Sequence, residues 1–174
     1  EKKNGFRNKI NYIPLIRGGH RLPFEKTNFA INWSSEAVNF YRRDKKARLQ
    51  NSEFYFKRGL AVPMVTSGKI SASIFSNSIF DQGVVGIFPK DKNMLEFLLI
   101  YLNSQQATKV KMSINPSANN PSNYLKRVVV PIPSISQINK AKSICNEWKT
   151  NKILSQEKFR NIATDFINAN FSTN

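Results

Sequence analysis

The sequence predicts an α+β fold: a mixed or antiparallel sheet, a packed helix and a helical C-terminal segment. Three observations lead there. Between residues 53 and 89, short apolar runs alternate with turn sequences, the pattern of strands joined by tight connections. Between residues 94 and 106 the period changes: Met94, Leu95, Leu98, Leu99 and Leu102 recur at helical spacing. From Ser134 onward the period is again helical. Ile135, Ile138, Ala141, Cys145 and Trp148 form one stripe, and Phe159, Ile162, Phe166 and Ile167 form a second after a break near Thr150-Asn151.

Taken in order, Ile10–Ile16 alternates weakly and contains Pro14. Arg17-Gly18-Gly19-His20-Arg21 is a flexible basic turn, and Phe29–Trp33 is a short strand. Residues 36–50 are polar and strongly basic, with Val38, Phe40, Tyr41, Ala47 and Leu49 as their apolar members. Phe54-Tyr55-Phe56, Leu60–Val65, Ile70–Phe75, Ile79-Phe80 and Val84–Phe88 are strand candidates. Thr66–Lys69 and Asp81-Gln82-Gly83 are turns between them. Residues 113–123 form a loop of Asn, Pro and Ser, and Leu125–Ile132 is expected as a closing strand. The expected organisation is residues 1–133 as one domain and 134–174 as a helical segment for packing or partner docking. The chain opens on Glu1 rather than Met, so it is expected to be part of something longer.

Charge narrows the partner class. Twenty-seven Lys and Arg oppose 11 Asp and Glu, a formal net charge of +16 on 174 residues. Such an excess implies an anionic partner, since self-repulsion otherwise opposes compaction. The first 58 residues hold 14 of the cations against 5 carboxylates, and are the expected electrostatic footprint. Nucleic acid is the first candidate; an acidic membrane surface or protein comes second. No apolar run approaches the ~20 residues of a membrane span. One cysteine, Cys145, excludes an internal disulfide and fits a reducing cytoplasm.

Basic residues interleaved with aromatics carry the binding signal. Phe40-Tyr41-Arg42-Arg43-Asp44-Lys45-Lys46-Ala47-Arg48 places five cations in seven positions, and Phe54–Gly59 adds Lys57 and Arg58. Cations at this density suit phosphates, and Arg also takes guanine bidentately. Enzyme signatures are sparse: no phosphate-cradling glycine loop occurs, and one Cys with one His cannot form a Cys/His metal site. Glu147-Trp148-Lys149, with Asp81 upstream, keeps open a metal-dependent endonuclease as an alternative. A protein-interaction module of a DNA-modifying complex is another.

Several segments, in order, carry a likeness. They are Phe54-Tyr55-Phe56-Lys57-Arg58-Gly59-Leu60, Val65–Ala72, Ile79–Gly83, Leu95–Ser104, Asn115–Asn120, Tyr124–Arg127, and Val130-Pro131-Ile132-Pro133 leading to Gln137. This series resembles the target-recognition domains of adenine-specific DNA methyltransferases in restriction–modification systems. These include the TaqI-like C-terminal specificity domain and type I specificity subunits. The likeness covers roughly residues 50–145. It implies sequence-specific recognition of double-stranded DNA in the major groove, with the target base flipped into a separate methyltransferase domain. Partners would be that methyltransferase and, in fused enzymes, a nuclease domain or subunit. S-adenosylmethionine would bind there, with no cofactor in this chain. Asn115-Pro116-Ser117-Ala118 and Asn120-Pro121-Ser122-Asn123 both lack the second proline and aromatic ring of the methyltransferase motif, so catalysis is expected elsewhere.

The expected DNA-binding residues fall in stretches. Arg42, Arg43, Lys45, Lys46 and Arg48 would neutralise phosphates. Lys57, Arg58, Thr66, Ser67 and Lys69 would sit on DNA-facing loops. Arg17, His20 and Arg21 would form a further contact loop, as would Asn119 and Asn120, whose amides suit adenine edges. The loops around Lys57 and Lys69 are expected to share one cationic surface.

Overall fold

A computed structural model of the chain describes residues 11–19, 22–46, 49–66, 68–150 and 155–171. The fold is α+β. Among the described residues it contains two small sheets. In the first, β1 (Tyr12–Ile16) pairs antiparallel with β2 (Ala30–Asn32) and parallel with β5 (Ile79–Phe80). In the second, β3 (Gly59–Pro63) is central, between β4 (Ser73–Phe75) and β6 (Val84–Ile87), both antiparallel to it. β3 is buried along its whole length because a strand covers each edge and helices cover its face.

Among the described residues, six helices accompany the sheets: α1 (Ser35–Arg43), α2 (Leu95–Asn103), α3 (Gln105–Ile114), α4 (Ser122–Leu125), α5 (Ile135–Thr150) and α6 (Gln156–Phe171). α2 is apolar on nearly every side, and Phe97, Leu99 and Ile100 are fully buried, so it runs through the core rather than along a surface. α5 and α6 both pack on it. Ala141, Cys145 and Trp148 from α5 share one cluster with Phe159, Ala163, Phe166 and Ile167 from α6, with Trp148 edge-on to Phe159 at 4.9 Å. A second cluster joins Ile13, Trp33, Val38, Tyr55 and Ile79, closing α1 onto the first sheet.

Two helices form where no element was expected, and several expectations are corrected. Residues 35–43 fold as α1: Ser34 caps its start by accepting the Ala37 N–H, Glu36 sits in the first turn, and Val38 with Tyr41 faces the core. α3 follows α2 after a one-residue break, where the Ser104 hydroxyl accepts the Ala107 N–H and starts a new helix. Phe54-Tyr55-Phe56 is not a strand. Ser52–Phe54 is a 3-10 turn, and Phe56 takes a left-handed φ of 65° while its N–H donates to the Ser78 carbonyl. Leu125–Ile132 is not a strand either: its start is the end of α4, and Pro131 and Pro133 have no N–H for a ladder. Ile135, placed on the buried stripe of α5, is 80% exposed. The expected break at Thr150-Asn151 runs into residues outside those described.

The candidate strand at Ile70–Phe75 shortens to Ser73–Phe75 for a reason visible in the hydrogen bonds. Asn103, at the end of α2 and fully buried, treats Ala72 as a neighbouring strand would. Its Oδ1 accepts the Ala72 N–H at 3.2 Å and its Nδ2 donates to the Ala72 carbonyl at 2.9 Å. The same Nδ2 also donates to Leu99 O, and Oδ1 accepts from Gln156 Nε2 of α6. Removing this side chain leaves two buried backbone groups without partners, each costing about 1–3 kcal/mol. Asn103→Ala should therefore lower the unfolding free energy by roughly 3 kcal/mol in urea titration, far more than an exposed Asn such as Asn139.

Candidate nucleic-acid interface

The expected contact residues separate into two groups at different ends of the sheets. The first gathers at the C-terminal end of β1 and of β3. Arg17 directly follows β1, and the loop it opens lies against the turn Asp81–Gly83. A Cβ on Gly18 would stand 2.7 Å from the Gly83 carbonyl oxygen, so only glycine allows the two backbones this close. Arg17 Nε donates to Asp81 Oδ2 at 3.1 Å, while Asp81 Oδ1 accepts the Gly83 N–H. The guanidinium lies 5.1 Å from the Phe29 ring centroid. Because the ion pair uses Nε, the terminal nitrogens are not spent on Asp81.

The same turn ties to the end of β3, since the Met64 N–H donates to Gly83 O at 2.9 Å. Residues 64–66 then pair with 118–120. Asn120 N–H donates to Met64 O, Thr66 N–H donates to Ala118 O, and Val65 bridges Asn119. Arg17, Lys69 and Asn119, some 50 residues apart in sequence from one to the next, thus belong to three loops locked together by backbone bonds.

Within this cluster the side chains have different fates. Asn120 is fully buried. Its Nδ2 donates to Pro63 O at 3.0 Å and to the Thr66 hydroxyl at 3.2 Å, so its amide braces the loop and is not available to an adenine edge. Thr66 is buried with it. Asn119 and Lys69 are exposed. Asn119 uses its backbone, not its side chain, in the loop: its N–H donates to Ser117 Oγ and its carbonyl accepts Asn115 Nδ2. Lys111, which the sequence did not single out, is 2% exposed and donates to the Ser117 carbonyl, pinning the same loop from α3. Burial pulls its pKa below the ordinary lysine value. Arg160 of α6 is a second unforeseen anchor. It donates to Ile70 O at 2.7 Å and to Thr108 Oγ1 at 3.1 Å, and burial lowers its pKa too. Lys69, Lys109 and Arg160 line an open groove of about 660 Å³ between α3 and α6, together with Glu157 and Asp165.

The second group lies at the other end. β2 leaves the sheet beside Tyr12, and the Trp33 N–H donates to Asn11 O, so α1 begins at the end of β1 remote from Arg17. Tyr41 packs 6.5 Å from Trp33, holding the last turn of α1 there. Arg42, Arg43, Lys45 and Lys46 are exposed at that turn and just beyond it. Tyr55, 6.1 Å from Trp33, brings the 54–58 segment to the same side. Lys57 Nζ sits 5.2 Å from the Phe54 ring, and Arg58 pairs with Glu96 at 2.6 Å. Lys57 and Lys69 therefore flank opposite ends of β3, about 16 Å of strand apart, rather than sharing one loop surface. His20, Arg21, Arg48 and Ser67 lie outside the described residues.

The aromatics of the basic stretches are mainly structural: Tyr55 is buried, and Phe54 stacks on Phe88 at 4.8 Å. Phe29 and Phe40 are exposed. Among the described residues no group of three or more His, Cys, Asp or Glu could hold a metal ion, and no helix is long and apolar enough to cross a membrane. In the Glu147-Trp148-Lys149 stretch, Trp148 is core and Glu147 accepts a bond from Ser143. No family model matches this sequence, and comparison with curated proteins gave no match.

Cys145 is buried against the Glu96 carbonyl, and desolvation, with the Glu96 charge adding, pushes its thiol up to about 12. The unfolded thiol ionises near 8.5–9. The thiol's contribution to stability is therefore complete below that range and drains away as pH rises towards 12. A thiol-reactive dye should leave the folded protein unlabelled at neutral pH and label it in denaturant; chemical stability should fall above pH 9, less so in Cys145→Ala.

Proposed function

We propose that this chain reads double-stranded DNA in a sequence-specific manner, for an adenine-N6 methyltransferase of a restriction–modification system. Methyl transfer, and the S-adenosylmethionine it uses, would lie in a separate domain or subunit. One observation carries the proposal: the three distant loops bearing Arg17, Lys69 and Asn119 are fastened to one another at one end of the molecule. Base readout needs donors and acceptors held in fixed register, and loops braced by backbone bonds satisfy that need. The net charge of +16 supplies the long-range attraction. The order of motifs from residue 50 to 145 supports the methyltransferase connection by resemblance.

Roles follow from exposure. Asn119 offers an amide able to pair with adenine N6 and N7. Arg17, steadied by Asp81 and Phe29, offers its terminal nitrogens to guanine or phosphate. Lys69, and the group at the end of α1, would neutralise phosphates.

The test is a duplex titration at several salt concentrations, first over a randomised library and then on the selected site. The slope of log K against log salt should correspond to several phosphates at about −0.9 each. Lys69→Ala should reduce it by about 1 while weakening all duplexes alike. Asn119→Ala should cost about 1–3 kcal/mol on the selected site and relax preference at one base pair. A flat salt response, or equal affinity for all duplexes, would overturn the proposal.

A further inference from the structure

A second concave site lies away from the loop cluster. A cleft of about 500 Å³ opens between the β1–β2 connection, the entry to β3, β4 and the last turns of α5. Its apolar wall includes Phe24 and Phe75. Three cations reach it from three distant parts of the chain: Lys26, Arg58 and Lys149. Arg58 is held in place by Glu96 at 2.6 Å. Glu25 also borders the cleft, with one carboxylate oxygen accepting the Leu22 N–H. Lys26 and Lys149 are exposed and form no ion pair among the described residues. The lining thus carries three cations against two carboxylates, Glu25 and Glu96, and on a chain of +16 the ammonium groups of Lys26 and Lys149 face the hollow without a salt bridge among the described residues, a setting that favours an anion there.

We propose that this cleft binds a nucleoside phosphate, either free or as one nucleotide of a strand. The volume falls in the range of small-ligand sites and exceeds what a lone phosphate fills. Phe24 and Phe75 give a flat base an apolar wall, and Lys26, Lys149 and the oriented Arg58 meet the phosphate. Asn146, on the same turn of α5 as Lys149, places an amide on the lining for a base edge. Cys145 also borders the cleft, and burial, which pushes its thiol up to about 12, keeps it protonated there at neutral pH.

The experiment is isothermal titration calorimetry of the whole chain with adenosine triphosphate, inorganic phosphate and a single-stranded oligonucleotide. Lys26→Glu/Lys149→Glu is compared with Lys126→Glu/Lys140→Glu, an equal charge change at exposed positions that do not line the cleft, and thermal melting confirms that both fold. The cleft pair should weaken nucleotide binding by about tenfold or more, about 1.4 kcal/mol, while the control pair changes little. Parallel weakening of the oligonucleotide identifies a nucleotide within a strand; an unaffected oligonucleotide identifies a free one. Absence of saturable nucleotide binding, phosphate binding as tightly as nucleotide, or equal losses in both pairs would overturn the proposal. None of these readouts uses duplex binding by the loop cluster, so either idea can fail alone.

Discussion

The position of the 64–72 segment depends on side chains that do the work of missing strands. Beyond β3 the chain needs partners for its backbone polar groups, because a buried N–H or carbonyl without one is costly. Asn120 supplies them at Pro63 and, through its own backbone, at Met64; Arg160 supplies one at Ile70; Asn103 supplies both at Ala72. The three anchors come from the 115–120 loop, from α6 and from α2. A loop held in this way can stay irregular, as a binding loop must, without being loose. The residues on either side of Gly68 are thus tied to the 115–120 loop, α6 and α2, although Gly68 itself takes a φ of 90° and a Cβ there would meet nothing.

This coupling changes the meaning of the C-terminal helices. The stripe on α5 and the residues of α6 are shared with α2 and β3 in one core, and Arg160 reaches from α6 to the loop segment itself. Removing residues 134–174 would strip the apolar cover from Phe97, Leu99 and Ile100 and take away the Ile70 anchor. The helical segment cannot be excised to ask whether DNA contacts survive without it, because the loop geometry is partly its product.

Where a single element determines its own structure, the sequence was readable. The periodicity of α2, the helical spacing of α5 and α6, and the turn after β5 are local signals, and the structure has these elements near their expected places, although Ile135 falls off the buried stripe of α5. α1 was hidden because its exposed face is so basic that only Val38 and Tyr41 mark the buried side. α3 was hidden because Ser104 ends one helix and caps the next without any Gly or Pro. Leu125–Ile132 has strand-like composition but no neighbouring strand among the described residues, a fact about the rest of the fold. Asn120 and Asn119 look alike in sequence. Only the tertiary partners of one, Pro63 and Thr66, separate a brace from an exposed amide. Arg160, Lys111 and Asn103 gave no local signal at all, since their roles consist entirely of contacts with distant segments.

The separation of the cations into two groups bears on how a duplex would be gripped. Neutralising phosphates asks little of geometry, because a lysine on a flexible stem follows an anion over several ångströms and gains most of the energy anyway. Distinguishing one base pair from another asks much more, since a bidentate bond fails with small displacements. The two ends of the molecule differ in the same respect. Around α1 the cations are exposed at a helix terminus and on the residues just after it. Around Arg17, Lys69 and Asn119 the backbone is cross-linked by paired bonds and by a glycine contact that admits no Cβ. Under the proposed function, affinity would come mostly from the first end and discrimination from the second, joined by a buried strand of fixed length.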